Sequence, residues 1–74
     1  MNPRERKQYI DSIEAELAQI REDLAPLVSG EISLSERKGD DPWRDTTQEM
    51  IAFHKRTIAT YEAILDALRK GPLA

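Results

Sequence analysis

From Ile10 onward the large aliphatic residues fall at Ile13, Leu17, Ile20, Leu24 and Leu27, in steps that alternate three and four. A half-buried strand needs apolar residues at every second position, so this spacing predicts a helix with one narrow apolar seam. Asp11, Glu14, Glu16, Gln19, Arg21, Glu22 and Asp23 fill the other faces. Pro3 suits a first helical turn, where its missing N–H costs nothing. Pro26 is expected to kink the last turn, because it cannot bond back four residues. Gly30, after Ser29, can take the left-handed conformation that closes a helix. The first helix is therefore expected over residues 4–28.

A second stripe repeats the rhythm at Ile51, His54, Ile58, Tyr61, Leu65 and Leu68. Its start has two readings. Asp41 before Pro42 makes a cap with a first-turn proline, whereas Asp45 or Thr46, with Gln48 and Glu49 three residues on, makes a capping box. Gly71-Pro72 reads as the stop, and the helix is expected over residues 43–70. Set antiparallel, the stripes match in layers: Ile10 with Leu68, Ile13 with Leu65, Leu17 with Tyr61, Ile20 with Ile58, Leu24 with His54, and Leu27 with Ile51. The fold class expected is all-α, an antiparallel two-helix hairpin forming one domain.

The connection, residues 29–42, is longer than packed helices usually need. Ile32, Leu34 and Trp43 give it apolar surface to lay against the hairpin end. Ser33 and Glu36 are spaced as a capping box for one helical turn ending at Gly39.

A chain of 74 residues holds one small core, and such cores usually need a disulfide, a metal or a partner. There is no cysteine and only one histidine, so disulfides and thiolate metal sites are excluded. Association is the remaining support. On the second helix Met50, Phe53, Thr57 and Ile64 form a stripe beside the seam, too apolar to leave in water. A homodimer completing a four-helix bundle would cover it. In length and hairpin architecture the pattern resembles the plasmid-copy-control hairpins of the Rop type. The resemblance is one of architecture, implies no function, and stops at the connection, which is tight in Rop and long here.

Charge and motifs narrow the function. The formal charge of −3 gives no general attraction to nucleic acid or anionic membrane, and no apolar run is long enough to span a bilayer. The basic N-terminal residues lead into no hydrophobic stretch, so a secretory signal is not expected; a cytoplasmic address is. His54 has neither carboxylate nor second histidine on its own local face. It reads as a partly buried bundle histidine which, if buried, would make association weaker near pH 5, with a metal ligand or proton-transfer group as the sharper alternative. The carboxylates are spaced as a solvated face, and no nucleophile triad or phosphate loop is present. Neither enzyme activity nor a cofactor or metal is expected.

Two sites remain. Trp43, flanked by Pro42 and Arg44 and near Leu34, reads either as a lid over the hairpin end or as an external anchor, tryptophan and arginine being the common anchors of interfaces. Arg4, Arg6 and Lys7 would lie near Arg69 and Lys70 at the other end, a cluster able to contact phosphates. The leading expectation is a non-enzymatic, dimeric scaffold or adaptor presenting its loop end to a protein partner. The alternative is a small nucleic-acid-associated regulator using the basic terminal end.

Overall fold

The computed structural model describes residues 2–70, and within them two helices pack antiparallel. Helix α1 runs Pro3–Ser29 and helix α2 runs Thr47–Arg69. Asn2 caps α1: its side-chain oxygen accepts from the Glu5 N–H at 2.8 Å, and its amide donates to the Glu5 carboxylate at 3.0 Å. The first of these satisfies a backbone N–H that a helix start leaves open, and the second holds the two side chains together. The helix continues through Pro26 to Ser29 and closes on Gly30 at φ 87°, a conformation that favours glycine.

The seams meet as their spacing implies. Ile13, Leu17 and Leu65 form the centre of the core, with Ile10, Ile58, Tyr61, Ile64 and Leu68 packed against it. Leu17 is only 2% exposed. Leu27 and Ile51 are buried nearer the connection, while Leu24 and His54 are half-buried. Two cross-helix ion pairs accompany this antiparallel register, Arg21 to Glu62 at 3.2 Å and Arg69 to Glu14 at 2.6 Å. The molecule is slender, 56 × 24 × 15 Å.

Two expectations about the connection are corrected. Residues 33–39 form no helical turn, and α2 begins at Thr47 rather than at 43. Instead β1 (Ser35–Glu36) pairs antiparallel with β2 (Arg44–Asp45), Ser35 opposite Asp45 and Glu36 opposite Arg44. The all-α description is amended accordingly: a two-stranded ribbon joins the helices. The Thr46 N–H donates to the Leu34 carbonyl at 2.8 Å, extending the ladder by one step. Thr47 then locks ribbon to helix, its hydroxyl accepting from the Leu34 N–H at 2.8 Å and donating to the Leu34 carbonyl at 3.3 Å. Long-range strand pairing outcompetes the local capping signal at Ser33 because it satisfies the backbone groups of both sides at once. The stop expected at Gly71-Pro72 lies outside the described residues.

Candidate functional site

The ribbon ends in a tip, residues 37–43, whose base is held from several sides. The guanidinium of Arg44 reaches the carboxylates of both Glu36 and Glu49. These two neighbours, Glu49 first, raise the Arg44 pKa above its ordinary value. The carboxylate of Asp45 accepts the Thr47 N–H at 2.9 Å, and hydrogen bonding by Thr47 holds it below the ordinary carboxylate range. Gly39, at φ 55°, makes the reversal, and its carbonyl accepts from Arg37 Nε at 2.8 Å.

Trp43 stands on this base, outside the helix expected to contain it, and is 66% exposed. Arg37 lies over its ring, 5.6 Å from the centroid, a cation–π contact that steadies both side chains. The covering of the hairpin end falls to other residues: Leu34 is half-buried, and it lines a cavity of about 340 Å³ together with Ile32, Pro26, Leu27, His54, Glu22 and Asp23. Of the expected loop-end residues, Trp43 and Arg44 therefore belong to the ribbon and its tip, and Leu34 to the junction beneath it.

The two flanks of the helix seam differ. On one, the Arg21–Glu62 and Arg69–Glu14 pairs bridge the helices over a groove also lined by Leu17, Leu65 and Asp66. At 100° per residue, Phe53, Thr57 and Ile64 lie about 150° around α2 from Glu62 and Arg69, so they form the opposite flank. There Phe53 is 53% exposed and meets the edge of His54, ring centroids 5.9 Å apart. Met50 and Thr57 are half-buried, and Ile64 is partly used in the core. The hydroxyls of Thr57 and Thr60 donate to the carbonyls of Phe53 and Arg56, each at 3.0 Å. Their donors thus need no water. On the same flank the Glu16 carboxylate, with smaller effects of burial and Tyr9, raises the pKa of the Tyr61 phenol.

At the far end, Lys7 pairs with Asp11 at 3.2 Å, Lys70 with Asp66 at 3.0 Å, and Arg69 with Glu14. Arg4 and Arg6 form no ion pair among the described residues. Three of the five expected phosphate-contacting residues thus already hold a carboxylate. No group of three or more His, Asp and Glu side chains gathers to hold a metal among the described residues, and no described helix is long and apolar enough to cross a membrane.

Sequence reasoning missed Thr47, Arg37 and the pocket that gathers Glu22, Asp23 and His54. A faint signal existed for the ribbon: Ile32-Ser33-Leu34-Ser35 alternates apolar and polar, and Gly39-Asp40-Asp41-Pro42 is a turn-rich cluster before Thr46-Thr47. The chain matches no protein-family model, and neither a curated protein nor a solved structure matches it.

Proposed function

We propose that this chain is a non-enzymatic interaction protein, a homodimeric helical scaffold that presents its ribbon tip to a protein partner in the cytoplasm. The observation that carries the reading is the exposure of Trp43 on a tip whose base is fixed by Arg44, Asp45 and Thr47. A large aromatic held in place before contact loses little freedom on binding, which is what an anchor requires. The half-exposed Phe53 flank, with its threonine donors already bonded, supports dimerisation into a four-helix bundle. The cysteine-free sequence fits a reducing compartment.

Trp43→Ala tests the anchor. In affinity capture from native lysate, proteins bound through the tip are expected to be lost with Trp43→Ala, by at least tenfold for a hot-spot tryptophan, and retained across a salt series. Circular dichroism of the variant should match the wild type, because the residue contributes nothing to the core. Retention indifferent to Trp43→Ala but abolished by salt, matched on a heparin column, would move the assignment to the basic end and to nucleic acid.

A further inference from the structure

The exposed Phe53 stands on α2, and the open cavity beneath the ribbon, lined from α1, from the connection and by His54 of α2, lies at the same level of the hairpin. His54, the neighbour of Phe53 and its ring partner, forms one wall of that cavity, and Asp23, Pro26 and Leu27 form another. Asp23 and Glu16 sit about 160° around α1 from Glu14 and Arg21, so the cavity opens toward the flank that carries Phe53. Knob and hole therefore share one face of the molecule, the knob on α2 and the hole on the α1 side.

Charge follows the same division. Arg56 lies about 60° around α2 from Phe53, while Glu22 and Asp23 rim the cavity. Neither Arg56 nor Glu22 forms an ion pair among the described residues. The face is thus complementary to itself: an aromatic beside a cation on one half, an apolar hole beside carboxylates on the other.

From this we infer that a second copy of the chain occupies this face with Phe53 seated in the cavity lined by Leu27, Ile32, Leu34 and His54, and that the two hairpins dock side by side with both tips at one end. The inference rests on the dimeric reading above and adds its geometry. A closed two-fold interface brings each patch onto its complement in the partner. An axis parallel to the helices sets each α2 against the partner's α1 at equal height, so both knobs meet both holes and each Arg56 faces Glu22 and Asp23 of the partner copy. An axis crossing the helices sets α2 against a reversed α2, and the knobs miss the holes. The dimer would consequently offer two Trp43 anchors pointing the same way.

Because the chain has no cysteine, Lys38→Cys at the tip takes a single spin label. Tip-to-tip distances well under half the 56 Å length of the molecule are expected, and distances near that full length would overturn the docking while leaving the dimeric scaffold intact. A wild-type chain that sediments as a single 8.5 kDa species at high concentration would remove the dimeric reading itself. Phe53→Asp should weaken association by about a hundredfold or more, since two large side chains lose their burial. Arg56→Glu should weaken it by about threefold to tenfold, and adding Glu22→Arg with Asp23→Arg should restore it. Phe53 and Arg56 are both exposed, so circular dichroism should show native helix in each variant. An Arg56→Glu dimer as tight as wild type, or one that the paired reversal fails to rescue, would overturn the seating.

Discussion

The two flanks of the same seam are finished in different ways. One is bridged by Arg21–Glu62 and Arg69–Glu14; the other carries Phe53, Met50, Thr57 and Tyr61 with no such bridge among the described residues. An ion pair with both partners about half exposed adds little free energy, but it keeps water-loving groups over the seam and suits a surface facing solvent. The other flank, with Phe53 half exposed and its threonine donors bonded to their own helix, leaves apolar surface in contact with water. The lesson is that the two sides of one seam can be finished differently, with ionic cover on one and half-exposed apolar surface on the other.

The largest effect belongs to the seam that both flanks share. Leu17→Ala should lower stability by about 2–5 kcal/mol, as for other buried leucines, which for a chain this small leaves little folded protein in a thermal melt. On the apolar flank, Phe53→Asp should separate the copies without unfolding them. The melting temperature should lose its dependence on protein concentration while the helical spectrum persists. On the ionic flank, a double-mutant cycle over Arg21→Ala and Glu62→Ala should give a coupling of about 0–1 kcal/mol that fades with added salt. A large, salt-resistant coupling would mean that this flank is the one desolvated.

The smallest effect sharpens the chemistry of the apolar flank. The folded-state pKa of Tyr61 is raised, chiefly by Glu16. The associated stability is therefore present below the unfolded phenol value of about 10 and is lost as pH rises through the folded one. Phenolate absorbance should place the Tyr61 midpoint above that of an unfolded chain, and Glu16→Gln should bring it down. A midpoint indifferent to Glu16→Gln would separate the two residues.

Much of the shaft was legible in the sequence, because a repeat of threes and fours sustained over six positions has one physical solution, and Gly30 closed the first helix as its freedom from a side chain suggests. Asn2 and Glu5 make a cap that a reading centred on Pro3 passed over. The connection was less legible. Ser33 and Glu36 carried a helical cap in their spacing, but the ladder from Leu34 to Thr46 depends on partners a dozen residues apart, which no local pattern specifies. The same holds for the cavity under the ribbon: Glu22, Asp23 and His54 belong to separate elements and meet only once Ile32 and Leu34 fold across the hairpin end. Trp43 stood out as a residue type, yet its placement on the tip followed from the ribbon and not from its neighbours.

The clasp between Leu34 and Thr47 joins residues 13 positions apart, and this has a kinetic corollary. Closing so short a segment costs little chain entropy, and once it is shut the two shafts are tethered as if by a tight turn. Folding should then zip from the ribbon toward the termini, quickly, as in other chains dominated by local contacts. Amide exchange should nevertheless be slowest in the helix segments around Ile13, Leu17 and Leu65, where burial is deepest, and faster in the exposed strands of the ribbon.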